Sequence, residues 1–234
     1  MGVDAGMNVR DAGERFPVLV ALYDFYDQYT TRFQSACGPG CSTCCTWNVT
    51  STSLEADYLL EILDADARRR ISQALPRPGG PVWYRPTVTI NETAACFLAM
   101  RDPPEDRGIH TQGRCPFLDD HDLCKVYERR PFACRAMSSR NRCEEEGEAL
   151  MDPFLLSVSL AVYQILEDMD AVGCTGNLID LLVKEVTPGD TQRPFLIENR
   201  PLPGFLVEPA HERDFAAFLA GLREATGLRY GEKR

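Results

Sequence analysis

Eight cysteines stand in two groups that could act together on one chemistry. The first is Cys37-GPG-Cys41-ST-Cys44-Cys45, and the second is Cys115, Cys124, Cys134 and Cys143, separated by nine, ten and nine positions. A thiolate is a strong ligand for zinc and for iron, and closely spaced cysteines let one loop offer several sulfurs to one centre. Gly38, Pro39 and Gly40 allow the first loop to bend so that its sulfurs converge. Disulfides in an oxidising compartment are the competing use of so many cysteines. A chain of 234 residues is large enough to bury a core without such staples. The N-terminal sequence also carries no apolar stretch with a cleavage site, so we expect a cytoplasmic protein with metal-bound thiolates.

Charge supports that chemistry. Between Lys125 and Arg142 there are six basic residues (Lys125, Arg129, Arg130, Arg135, Arg140, Arg142) and one acid, Glu128. This island sits in a chain of net charge −10. Guanidinium groups would offset the negative charge of a thiolate centre, or the island would dock an acidic protein partner. The overall acidity argues against nucleic-acid binding. The longest apolar run, Phe16 to Tyr23, is eight residues, far short of a membrane span.

The stretch CPFLDDHDLCKVYERRPFACR, from Cys115 to Arg135, with the Cys37–Cys45 group before it, resembles the YkgJ-type cysteine-cluster proteins, a family described as zinc- or iron-chelating. The matching residues are Cys115, Pro116, Phe117, Leu118, Cys124, Val126, Tyr127, Arg130, Pro131, Cys134 and Arg135. The resemblance covers about residues 37–143 and implies a metal centre without naming an activity. Arg135 leads into AMSSRNRC, where the family often continues with an aromatic residue and proline, so Cys143 matches less closely than the others. The motif is also similar to that of the flagellin lysine methylases, which are associated with an iron–sulfur cluster; that likeness carries the alternative of an iron–sulfur enzyme such as a methyltransferase. Cys37-x3-Cys41-x2-Cys44 further has the spacing of radical S-adenosylmethionine enzymes, but the β-α alternation of their barrel is not legible here. The x3-x2 spacing and the methylase likeness incline the cofactor toward an iron–sulfur cluster over zinc. Eight ligands would fill two four-thiolate sites, or one with spares, and Cys44 and Cys45, being adjacent, would not easily both face one small ion. His121 reads as a solvated turn residue, His110 and His211 as surface residues, and Cys96 and Cys174 as buried hydrophobes.

The elements that must hold these residues are mostly helical. Val18, Leu22, Phe25, Tyr29 and Phe33 predict an amphipathic helix over about 16–33. Thr52 and Glu55 form a capping box, which predicts a helix from Ser53 with Leu59, Leu60, Leu63, Ala67 and Ile71 on one face. Asp64 with Arg68, and Asp66 with Arg70, have helical ion-pair spacing. Pro76 to Pro81 read as a loop, Thr87 to Ile90 as a brief strand, and Asn91 to about Arg101 as a helix capped by Asn91. Asp152-Pro153 opens a helix to about Ala171, a further one runs from Asn177 to about Val186, and a last one from Glu212 to Thr226 stops at Gly227. Residues 115–143 show no sustained period, which suits a segment folded around something other than a core. The expected fold is mostly α: helices packed around an irregular cysteine-rich metal-binding segment. We expect one domain over 1–234, with the cysteine region at about 37–143 and a helical part at about 152–234.

Overall fold

The computed structural model describes residues 12–73, 83–106, 113–186 and 195–230. His110 and the Pro76–Pro81 loop lie outside these residues. The architecture is mostly α. In chain order it comprises α1 (Ala12–Thr30), β1 (Thr50–Thr52), α2 (Ser53–Leu60), α3 (Ala65–Gln73), α4 (Ile90–Leu98), α5 (Phe132–Ala136), α6 (Cys143–Glu146), α7 (Pro153–Met169), β2 (Cys174–Asn177), α8 (Leu178–Val186), β3 (Ile197–Glu198) and α9 (Glu212–Thr226). Among the described residues no helix is long and apolar enough to cross a membrane.

Local signals set most helix ends. Thr52 caps α2 as expected: its side chain accepts the Glu55 N–H, and the Glu55 carboxylate accepts the Thr52 N–H at 2.9 Å. Asp152 caps α7 with Pro153 at its first position, and Gly227 ends α9 in the left-handed region at φ 75°. Three expectations need correction. The helix from Ser53 is two helices, because Asp64 Oδ1 caps Ala67 at 2.7 Å and so starts α3 afresh. Asp66 pairs with Arg70 at 3.5 Å, as the spacing predicts. The cap of α4 is Thr89, not Asn91, and residues 87–90 form no strand. Asn91 is fully buried and tied to α7 instead: its N–H reaches Glu167 Oε2 at 2.8 Å and its side-chain amide reaches the Gln164 carbonyl at 3.0 Å.

Sequence periodicity did not show the sheet. β2 pairs antiparallel with β1 (Ser51↔Gly176) and with β3 (Thr175↔Ile197). Strands of two to four residues are too short to display a period, and their partners are distant in sequence. The sheet nonetheless fixes β1, which follows directly on the first cysteine loop, to the C-terminal half.

Two hydrophobic clusters form the core. The first joins α1, α7 and α9 through Leu19, Leu22, Tyr26, Val162, Ile165 and Phe218, with Phe132 of α5 set among them. The second joins α2, α3 and α8 through Leu59, Ile71, Leu181 and Leu182, with Trp83, Phe117 and Val126. The cysteine-rich segment therefore sends Phe117, Val126, Phe132 and Ala136 into the cores, despite its lack of a period.

The buried stripe of α1 is Leu19, Leu22, Tyr23, Tyr26 and Tyr29, while Val18 and Phe25 lie half-buried at its edge. Tyrosines take the centre because their hydroxyls find partners: Tyr23 donates to Glu55 Oε1 at 2.7 Å, and Tyr26 meets Ser159 Oγ at 2.8 Å. Burial pushes the Tyr26 hydroxyl up to about 12. A raised folded value means that the stabilisation is complete below the unfolded value near pH 10 and is lost as pH rises through about 12. We expect unfolding free energy to fall by about 3 kcal/mol across that window from this group alone. Denaturant titrations at pH 9 and pH 12 should show a smaller drop for Tyr26→Phe than for the native chain; equal drops would place the alkaline sensitivity elsewhere.

Candidate metal centre

The first cysteine loop reaches the second segment through backbone pairing. The Cys115 N–H donates to the Cys45 carbonyl at 3.0 Å, and the Trp47 N–H donates to the Gly113 carbonyl at 3.0 Å. Thr46 and Arg114 form the antiparallel bridge between these bonds. The approach demands glycine at position 113, since an added Cβ would overlap the Trp47 indole. Asn177, fully buried, holds the loop from behind: its amide donates to the Trp47 carbonyl at 2.7 Å and the Tyr84 carbonyl at 2.9 Å. Trp47 stacks on Trp83 at 5.9 Å and 17°, and these are the two tryptophans of the chain. Indole fluorescence thus reports on this junction alone. Gly113→Ala is expected to cost at least the 1–3 kcal/mol typical of overpacking and to shift the emission spectrum. An unchanged spectrum and stability would contradict the close approach.

Beyond Cys115 the chain folds back on itself. Leu118 bridges Cys124, with the Asp119 N–H on the Leu123 carbonyl at 3.0 Å and the Lys125 N–H on the Phe117 carbonyl at 2.9 Å. This hairpin brings Cys115 and Cys124 to the same end, both half-buried against the second core. Its tip is the acidic turn. Asp119 Oδ1 accepts the N–H groups of His121 and Leu123 at 2.8 and 2.9 Å, and His121 is exposed.

Burial raises the Cys115, Cys124 and Cys41 thiols, and nearby main-chain N–H groups of Phe117 and Leu118, of Val126 and of Thr43 partly offset it. Backbone donors aimed at sulfur stabilise its anionic form.

Cys134 sits in the first turn of α5, and Glu55 places that turn. Glu55 is 4% exposed. Its carboxylate accepts from Tyr23 Oη at 2.7 Å, Phe132 N–H at 2.7 Å, Thr52 Oγ1 at 3.0 Å and Ser51 Oγ at 3.3 Å. One carboxylate therefore closes the capping box of α2 and caps α5. The sequence shows the first role through the Thr52–Glu55 spacing; nothing in it shows the second.

Cys45, Cys115, Cys124 and Cys134 are mutual electrostatic neighbours. Burial raises Cys134 far above an ordinary thiol, and the Cys115 and Cys124 charges add to this. Burial pushes Cys115 up to about 11, Cys124 contributing in the same sense. Cys44 donates its S–H to Cys45, which lowers Cys45 and raises Cys44. On the other side, Cys41 has Cys37, Cys44 and Cys143 around it. Cys37, Cys41 and Cys143 line an open cleft of about 280 Å³ with Asn141, Arg142 and Glu144. Among the described residues, no three Cys, His, Asp or Glu side chains already converge in metal-ligand geometry. All ten cysteines are unbridged. The donor set nonetheless fits a thiophilic ion: four half-buried sulfurs on two hydrogen-bonded segments, with main-chain N–H groups aimed at two of them. Cys96 is buried in α4, and Cys174 is half-buried in β2, packed against the second core as Cys115 and Cys124 are. His211 is half-buried, with Nδ1 3.2 Å from Ser157 Oγ.

The basic island is largely spent on the protein itself. Arg135 donates to Asp27 Oδ2 at 2.5 Å and the Glu128 carbonyl at 2.6 Å, and lies over the Tyr23 ring. Arg129 binds Glu61 Oε2 at 2.5 Å and the Tyr58 carbonyl at 2.9 Å. Arg130 lies over Tyr127, and its charge favours the thiolate forms of Cys124 and Cys134.

A family model described as "Putative zinc- or iron-chelating domain" (CxxCxxCC) matches residues 36–151. No curated protein and no solved structure matches the chain.

Proposed function

Because residues 36–151 match a family model described as a zinc- or iron-chelating domain, we propose that the chain binds such a metal through thiolates drawn from Cys37, Cys41, Cys44, Cys45, Cys115, Cys124, Cys134 and Cys143. The observation that carries the reading is the Cys115 N–H bond to the Cys45 carbonyl. It joins two cysteine groups 70 positions apart in the sequence, and the hairpin and α5 complete a four-sulfur neighbourhood beside it. In this reading the helices act as the clamp around the cysteine-rich segment within one domain. Arg130 offsets thiolate charge, while Arg129 and Arg135 pair with Glu61 and Asp27. A bound zinc ion would close a tetrahedral thiolate site, and an iron–sulfur cluster would add a redox-active group. The methyl-transfer alternative rests on the cysteine motif alone.

The x3-x2 spacing favours a cluster. Iron, zinc and acid-labile sulfide measured per chain on protein purified without oxygen test that choice. Iron with matching sulfide is expected; zinc without sulfide would overturn the cluster and leave a thiolate zinc site.

A further inference from the structure

The eight cysteines hang on two different supports. Cys45, Cys115, Cys124 and Cys134 are half-buried and are carried by the paired strands, the hairpin and α5, all rooted in the cores. Cys37 and Cys41 are exposed. Their loop is tied instead to the segment that carries Cys143. The Ala36 N–H donates to the Ser139 carbonyl at 2.7 Å, Ser138 Oγ to Ser35 Oγ at 3.3 Å, and Thr43 Oγ1 to Glu144 Oε1 at 3.4 Å. The cleft of about 280 Å³ includes Cys37, Cys41 and Cys143 in its lining and none of the other cysteines. Cys44 lies at the seam, hydrogen-bonded to Cys45 and near Cys41.

Resting on the metal-binding reading above, we infer that the cysteines form two centres of unlike access. One is a closed site of Cys45, Cys115, Cys124 and Cys134. The other is an open site of Cys37, Cys41 and Cys143 at the cleft, whose metal keeps a position for a donor from outside. Four protein thiolates fill a tetrahedral ion and leave no open position, whereas three leave one position for water or an incoming ligand. Half-burial of the first set protects its metal. The cleft gives the second set access to solvent, with Arg142 and Glu144 as the charged groups at its wall. The closed site holds structure, and the open site is where metal is exchanged or an external ligand is bound.

Cobalt(II) titration of the metal-free full-length chain tests this, read by sulfur-to-cobalt charge-transfer and visible ligand-field bands. Two equivalents are expected, and imidazole should perturb the bands of the second one only. The double variant Cys41→Ser/Cys143→Ser alters exposed and half-buried positions away from both cores. It should keep one equivalent with the four-thiolate spectrum and lose the imidazole response. Cys115→Ser/Cys124→Ser should lose the four-thiolate bands. A single equivalent in the native chain, or loss of all cobalt on Cys41→Ser/Cys143→Ser, would mean one mixed centre, overturning the partition while leaving metal binding intact. Absence of any thiolate charge-transfer band in the native chain would overturn both.

Discussion

Glu55→Ala is expected to lower the unfolding free energy by about 3–5 kcal/mol, the scale of leaving two or more buried donors without their acceptor. The carboxylate is 4% exposed and accepts from side chains of α1 and β1 and from the main chain at the start of α5. Truncation leaves the Tyr23 hydroxyl and the Phe132 N–H buried without this acceptor, and it also removes the reciprocal half of the α2 capping box. The effect should extend to the metal site, because the Phe132 N–H opens the helix that carries Cys134. Glu55→Gln separates charge from shape: it keeps an acceptor oxygen but replaces the other with a donor facing donors. Urea unfolding of the three proteins, with and without metal, measures the effect. A loss under 1 kcal/mol for Glu55→Ala would mean that α5 is placed by Phe132 packing alone.

Removing metal is expected to have a comparable effect. A ligand that binds only the folded state at a free concentration of about 1,000 times its dissociation constant stabilises by about 4 kcal/mol. Chelation should therefore lower the unfolding free energy by about that amount and broaden hydrogen exchange in the hairpin from Cys115 to Cys124. Cys124→Ser should reproduce most of this loss and show little further response to chelator. If Cys124→Ser retained full metal content, the hairpin would not supply ligands. The two predictions are coupled, since Glu55 positions Cys134 and Cys134 neighbours Cys115 and Cys124; the double variant should therefore depart from additivity.

The local parts of this fold were legible in the sequence. Thr52 with Glu55, Asp152 with Pro153, and Gly227 each act within one turn, so the ends they set could be read directly. The break between α2 and α3 was missed because the apolar period continues across it, and Asp64 satisfies an ion-pair spacing and a cap equally well. Asn91 was misassigned because Thr89 two positions earlier offers the same capping chemistry, and only the contact with Glu167 shows what Asn91 does. The stripe of α1 came out shifted, since hydrophobicity alone ranks Phe25 above Tyr26, and the partners that satisfy Tyr23 and Tyr26 are remote.

At the candidate site, the eight cysteines stand out in the sequence by type and spacing, but which of them lie near one another does not. Spacing separates Cys143 from Cys134 by no more than it separates Cys134 from Cys124. Cys143 nevertheless lines the cleft with Cys37 and Cys41, because Ser138 and Ser139 tie that stretch to Ser35 and Ala36. Likewise the island from Lys125 to Arg142 could be counted in the sequence. Its use could not, because Asp27 on α1 and Glu61 just past α2 are distant in the chain.

X-ray absorption at the edge of the bound metal, on protein purified without oxygen, tests the central claim most directly. The account predicts a shell dominated by sulfur, at about 2.3 Å for zinc, and its loss with the metal when Cys124 is replaced by serine. A shell of nitrogen and oxygen at about 2.0–2.1 Å, unchanged in Cys124→Ser, would show that the metal is held elsewhere and would contradict it.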